Sequence, residues 1–374
     1  MSLVKLNNKI VKMGGKLVTL NPPTPPVTVT DYDGNVYNTT TIGSQVWTTT
    51  NLKVTHYNDG TPIPNISNYN DWFLPSMDEL YQMWNQLYTW SVGNFYNTGN
   101  YWTSSETINS ASHVQAFSTG LQVSNGKDQS NRVRACRSFT GGSYNLRDRG
   151  PAGGWIFITG ATYYEAAPFD QTTSVWSNIT GTTIGTTGTA IGTGLSNSNA
   201  IIGQVGHTTS AAKQTLDLTS DMLWATDTYG AMCYYNNDKS TYENPYGGLY
   251  NWHAVNTGNL APSGWRIASD SDWQTMVTYL ITNPGGKLKE AGTTHWSSPN
   301  TNATDEYGFK ALPGGYRTDT PGFFNSIGTM GSYWKTDSAT SLNALHAYML
   351  NSQGTISMGT IPKNYGFSVR LIKN

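Results

Sequence analysis

The chain has 374 residues, room for two or three domains, with a formal net charge of -1 and 12% charged residues against 12% aromatics. That balance excludes a disordered chain and leaves no basic footprint for nucleic acid or an anionic membrane. Its two cysteines, Cys136 and Cys233, sit in unrelated contexts and make neither a disulfide framework nor a zinc pattern. Buried free thiols are the expectation, with a bond between them as the alternative.

Met1 to Leu20 holds no apolar run of signal-peptide length, and nothing later approaches the ~20 apolar residues of a membrane span. The expectation is a chain made and folded in the cytoplasm. Residues 9–20 place Gly14-Gly15 between two short apolar stretches, the pattern of a β-hairpin. A hairpin alone is marginal in water, so Leu17, Val18 and Leu20 call for a partner surface. Pro22-Pro23-Thr24-Pro25-Pro26 follows as a stiff spacer. Residues 1–27 therefore read as an attachment arm, and an ordinary N-terminal strand is the plainer alternative.

From Asp31 the text is strand and turn, with Asp33-Gly34 and Asn58-Asp59-Gly60 as turns and Val36, Ile42, Val46 and Trp47 alternating nearby. A longer signal then begins. Trp72-Phe73-Leu74-Pro75-Ser76 leads into a helix with a capping box at Ser76 and Glu79 and an apolar face of Leu80, Met83, Trp84 and Leu87. Tyr101-Trp102 and Val133-Arg134 close it. The same parts return in the same order at Trp265, Ser269, Asp272, Trp273, Met276, Val277, Leu280, Tyr333-Trp334 and Val369-Arg370. A repeat of this length predicts two copies of one fold. Between the copies lie a Gly/Thr-rich span, Gly150 to Gly194, and a predicted helix from Ser196 to Gln214 with Ile201, Ile202 and Val205 on one side.

These residues carry a resemblance. Asn51-Leu52-Lys53, Tyr57-Asn58-Asp59-Gly60-Thr61-Pro62, Tyr246-Gly247-Gly248-Leu249-Tyr250-Asn251-Trp252, Leu312-Pro313-Gly314-Gly315-Tyr316-Arg317 and Gly366-Phe367-Ser368-Val369-Arg370 resemble the bacterial major-paralogue (FISUMP) domain. The resemblance implies a C-type-lectin fold for residues 28–68 and 218–374. Residues 69–217 are similar to C-type-lectin-like modules of bacterial and phage surface proteins, but their Gly-rich half follows where it normally leads. The implied architecture is α+β: two C-type-lectin-like modules, the second permuted and nested in the first, behind an N-terminal hairpin arm. On this division, excising 69–217 should leave a cooperatively folding outer domain.

Enzyme chemistry finds little support. The six histidines lack metal spacing, and no Gly-x-Ser-x-Gly elbow or phosphate-binding loop appears. His113 and His346 fall eleven and twelve residues after the two Tyr-Trp tryptophans, which suggests a shared fold position. A formylglycine-generating enzyme is the catalytic rival, and neither cysteine context resembles its motif. A calcium lectin is the other, but Glu243-Asn244-Pro245 has that loop's residues in the wrong order and few oxygen ligands nearby. No cofactor or metal is expected.

Display remains. Tyr316 to Asn364 is rich in Asn, Ser, Thr, Tyr and Phe, the palette of antigen-binding loops. In the variable proteins of diversity-generating retroelements, which share this fold, the diversified positions occupy this stretch. The resemblance makes Thr318, Asp319, Phe323, Asn325, Lys335, Asp337, Asn343, His346, Tyr348, Asn351 and Gln353 the candidate binding face. A surface-binding chain without an export signal fits a bacteriophage fibre or decoration protein. It would attach to a virion protein through residues 1–21, associate as an oligomer with a trimer favoured, and bind a host cell-surface protein or glycan. A bacterial cell-surface adhesin is the alternative. Nucleic acid and membrane insertion are not expected.

Overall fold

A computed structural model describes residues 11–13, 16–18, 27–67, 69–320 and 322–374. Strands β1 (Val11–Met13) and β2 (Lys16–Val18) pair antiparallel, Val11 opposite Val18. The Gly14-Gly15 turn, Leu20 and the proline spacer lie outside the described residues. Next, β3 (Val29–Thr30) and β4 (Val36–Tyr37) pair across the Asp33-Gly34 turn, and β5 (Thr39–Ile42) and β6 (Gln45–Thr48) form a second hairpin.

Helix α1 (Met77–Gln86) opens the nested part, followed by β7 (Asn100–Ile108), β8 (Ala111–Ala116), β9 (Gln122–Gly126), β10 (Asn131–Val133) and β11 (Cys136–Phe139). Then come β12 (Trp155–Ile158), β13 (Tyr163–Ala166), β14 (Gln171–Ser174), α2 (Gly194–Ile202) and α3 (Ala211–Leu216). The single helix expected from Ser196 to Gln214 is thus two. Gly203 ends α2, Gly206 takes φ +79°, and Ser210 restarts the helix by accepting a bond from the Lys213 backbone N–H. Val205, expected on the apolar face, lies in the break and is exposed.

The chain returns through α4 (Ser220–Thr226), β15 (Met232–Cys233), α5 (Lys239–Tyr246), β16 (Leu249–Tyr250), α6 (Trp252–Asn256), β17 (Trp265–Ile267), α7 (Asp270–Leu280) and α8 (Pro284–Leu288). It finishes with β18 (Gly314–Arg317), β19 (Phe324–Ile327), β20 (Met330–Ser338), β21 (Asn343–Leu350), β22 (Ser357–Pro362) and β23 (Leu371–Lys373). The architecture is mixed α+β, dominated by two five-stranded sheets, β14-β10-β7-β8-β9 and β19-β18-β20-β21-β22.

Strand register makes the repeat explicit. Ser76 with Glu79, and Ser269 with Asp272, both form complete capping boxes. Just before them Phe73 bridges Cys136, and Arg266 pairs with Ile372. Tyr101 lies parallel to Arg132 as Tyr333 lies parallel to Ser368. Trp102 pairs with Val114 as Trp334 pairs with His346. The counterpart of His346 is therefore Val114 and not His113, which sits one residue off and on the other side of its strand. Each copy also has a hairpin docked on its last strand, Ala166 opposite Cys136 and Trp47 opposite Ile372. In the outer unit that hairpin precedes the helix; in the nested unit it follows the final strand.

Each helix buries its apolar face on its own sheet. Leu80 and Met83 of α1, with Leu87 just after its last residue, pack with Tyr101, Phe117 and Phe157. Trp273, Met276 and Leu280 of α7 pack with Trp47, Tyr333 and Met349. Burial of such side chains contributes roughly 1.5–3 kcal/mol each.

The junction between units is itself a core. Ile66, Leu223, Trp224 and Cys233 of the outer unit share a cluster with Trp72, Ala135, Ala152 and Ala167 of the nested one. Beside it Arg149 donates to the fully buried Asp227 at 3.1 Å. Both cysteines are buried and unbonded, and burial pushes the Cys233 thiol up to about 11.

Candidate ligand-binding face

The outer sheet has one face against α7 and one turned away from it. Tyr333, Ala347 and Met358 lie on the α7 side, each opposite the next across β20, β21 and β22. The neighbouring residues point the other way, because side chains alternate along a strand. Asn325, Tyr316, Ser332, Tyr348 and Ser357 thus form one row across all five strands. Trp334, His346 and Gly359 begin the next.

Rings join these rows into a platform. His346 stacks on Tyr348 at 5.2 Å and on Phe367 at 4.9 Å. Tyr316 stacks on Tyr365 at 5.9 Å, and both touch Phe367. Trp334 supports the platform from below, its indole N–H donating to the Tyr250 carbonyl at 2.7 Å. Tyr316, Tyr348 and Tyr365 remain partly exposed. Next to the platform lies a groove of about 430 Å³ whose walls include His253, Asp319, Leu342, Asn343 and Asn364.

His346 is the buried floor, 5% exposed. Its Nδ1 has no partner among the described residues, and a Cβ on Gly359 would come within 3.1 Å of its Nε2. Burial, reinforced by the Lys335 charge, lowers its pKa from 6.5 to about 4. The unfolded chain therefore takes up the proton first as pH falls. Stability from this residue is complete above pH 6.5 and is lost between 6.5 and about 4, by up to about 3 kcal/mol. In urea titrations across that range, His346→Phe should flatten the acid side of the profile. An unchanged slope in the variant would assign the effect to other groups.

Of the eleven residues expected on the face, the structure gathers seven. Thr318, Asp319 and Phe323 form the β18–β19 connection, where Thr318 N–H donates to the Phe323 carbonyl and the Phe323 ring is 61% exposed. Asn325, Asn343, His346 and Tyr348 belong to the rows and the groove. Four do not join them. Lys335 is buried on the α7 side and ion-paired to Asp270 at 2.6 Å, and Asp337 accepts from the Asp270 backbone N–H. Asn351 is spent on the Ser297 and Ser298 carbonyls. Gln353 lies in the β21–β22 turn, where its side-chain carbonyl accepts from the Thr355 hydroxyl at 3.3 Å and its backbone carbonyl from the buried Lys289, whose pKa burial lowers to about 8. The correction has one cause: alternation and turn geometry send these side chains away from the face, and composition does not record direction. Tyr365 and Phe367 complete the platform although the sequence reading left them out. Phe367 lies in the Gly366-Phe367-Ser368 motif, so the signal was present.

The nested unit treats the equivalent face differently. There Val114 is fully buried and packs with Trp102, Ile201 of α2, and Ala211 and Ala212 of α3. Where the outer copy has a partly open platform, the nested copy has a lid of two helices.

Residues 196–373 match the family model of the Fibrobacter succinogenes major domain. The match spans the outer unit's returning segment, from α4 to β23, and starts within α2. No curated protein and no solved structure matches the chain.

Proposed function

We propose, with the family match over residues 196–373 as premise, that the chain is a non-enzymatic binding protein of C-type-lectin-like build. Its outer unit presents the Tyr316–Tyr348 face, and its nested unit is the support. The observation that carries this reading is the contrast between the two copies. One closes the face under α2 and α3; the other leaves three tyrosines and Phe323 at the surface, an arrangement characteristic of interaction sites. In this reading the chain is a bacteriophage fibre or decoration protein. It is held to the virion through residues 1–21, assembles as an oligomer with a trimer favoured, and adheres to a cell-surface or mucosal protein or glycan. A bacterial surface adhesin is the second reading, favoured by a match to a domain family named from a bacterium.

Replacing Tyr348 and Tyr365 together by serine should weaken adhesion to host cells or mucin at least tenfold, as loss of aromatic anchors does. The melting temperature should shift by only a few degrees. A double variant that adheres like the parent would exclude this face. Deleting residues 1–21 should leave adhesion of the free protein intact and abolish its incorporation into particles. Full incorporation of the truncated protein would place the anchor elsewhere.

A further inference from the structure

Residues 171–212 of the nested unit contain no Asp, Glu, Lys or Arg, 42 positions where the chain's 12% of charged residues would place about five. This is the longest charge-free run in the sequence. The run is ordered, and charges from beneath tie it down. The shielded Glu106 carboxylate accepts from the Ile184 and Gly185 backbone N–H groups at 2.9 and 3.0 Å, and its partner Lys127 donates to the Thr182 carbonyl at 3.2 Å. The buried Glu79 accepts from the Gly192 N–H at 2.7 Å. Charge is inside here and the outer surface is neutral, the reverse of the usual arrangement.

That outer surface carries a line of aliphatic side chains. Helix α2 buries Gly194, Asn197, Ser198 and Ile201 and leaves Leu195 and Ile202 exposed. Seven residues apart, these two share one flank of the helix, two turns or roughly 10 Å from each other. Exposed Ile191 and Val205 continue the strip before and after the helix, and Val205 is 98% exposed. A single exposed aliphatic needs no explanation, whereas a row of four marks a contact surface. Exposed charge returns at the rim, with Asp78, whose backbone N–H bonds the Thr189 carbonyl, and with Lys213, paired to Asp217 at 2.6 Å.

We infer that this strip packs against a second copy of the chain, on or near a rotation axis. The inference rests on the reading of the chain as an oligomer and gives that oligomer its contact. Residues beside a rotation axis face their own copies, so a charge placed there meets a like charge. A surface with none is complementary to itself. A different partner would accept charge on this surface by carrying the opposite sign, so it would not require the run to be neutral. Contacts between identical chains are also the more apolar class. A standard interface covers about 800 Å² per copy; the strip supplies its apolar centre and the surrounding Thr, Ser and Asn its neutral rim. No residue of the Tyr316–Tyr348 face takes part.

The test is sedimentation equilibrium of the whole chain at about 1–100 μM. The parent should associate, and its dissociation constant should change less than about threefold between about 0.05 and 0.5 M salt, because no charge crosses the contact. Leu195→Glu combined with Val205→Glu should raise that constant at least about a hundredfold, since each glutamate is brought close to its own copy. Both positions are exposed, so the variant should keep the parent's circular dichroism spectrum. Val36→Glu, at an exposed aliphatic position of the outer unit, should leave association unchanged. A parent that stays monomeric at about 100 μM overturns the inference together with the oligomeric reading. An oligomer that survives both glutamates, or that dissociates equally with Val36→Glu or with salt, overturns this surface alone.

Discussion

Arg370→Met should be the most damaging single substitution in the outer unit, at roughly 4 kcal/mol or more. Arg370 is 1% exposed and serves as a hub. It donates to the Thr48, Phe309 and Lys310 carbonyls and to Asn51 Oδ1, at 2.8, 2.9, 3.0 and 2.7 Å, and lies 4.4 Å over the Phe309 ring. None of these partners is a carboxylate, and burial pulls its pKa below the usual arginine value. Methionine fills the space but strands four acceptors, three of them buried and each of those worth about 1–3 kcal/mol. Set against a total stability of about 5–15 kcal/mol, that loss approaches unfolding. Urea titration should show a much lower midpoint with an unchanged slope. Arg370→Lys should recover only part, because an ammonium lacks the planar fork. A methionine variant that melts within about two degrees of the parent would refute the hub.

Excising residues 69–217 should leave an outer unit that no longer unfolds cooperatively. The sequence alone favours the opposite result, and the shared core is the reason for revising it. Without Trp72, Ala135, Ala152 and Ala167, one side of Ile66, Leu223 and Trp224 faces water. Exposing about 200 Å² of apolar surface costs about 5 kcal/mol, as much as the whole stability of many domains. Asp227 loses Arg149 in the same step. Calorimetry decides the matter: a sharp transition near the parent's temperature would mean that the junction is only a contact and not a core.

What was legible in the sequence was local and written twice. Ser76 with Glu79 and Ser269 with Asp272 announce their helices within four residues, and Tyr-Trp and Val-Arg mark the same strands in both copies. The β5–β6 and β12–β13 hairpins dock on equivalent strands although they come at opposite ends of their units, so the change of order left the fold recognisable. What depended on direction was not legible. Lys335 and His346 read as surface residues because their stretch is polar; which way each points is set by pairing with β21 and β22. The break between α2 and α3 was hidden because an isolated glycine inside an apolar pattern is compatible with a helix. The meeting of segments 55–65 and 142–155 had no sequence signal, since only tertiary packing brings them together.

The docking of Trp47 against Ile372 has a temporal side as well. During synthesis the β5–β6 hairpin leaves the ribosome more than three hundred residues before the strand that receives it. The nested unit waits for nothing comparable: its long closing contact, Leu74 with Ser198, spans 124 residues and is available once α2 and α3 have emerged. At about 5–20 residues per second, the nested unit has roughly ten seconds or more in which to fold before β23 exists. It then holds Ile66 and Asp227 close to where the returning chain must arrive. A segment that can close its own sheet first, between the two ends of one that cannot, shortens the search that the late ends must make. Residues 69–217 are contiguous in the chain, so the growing chain carries its own template.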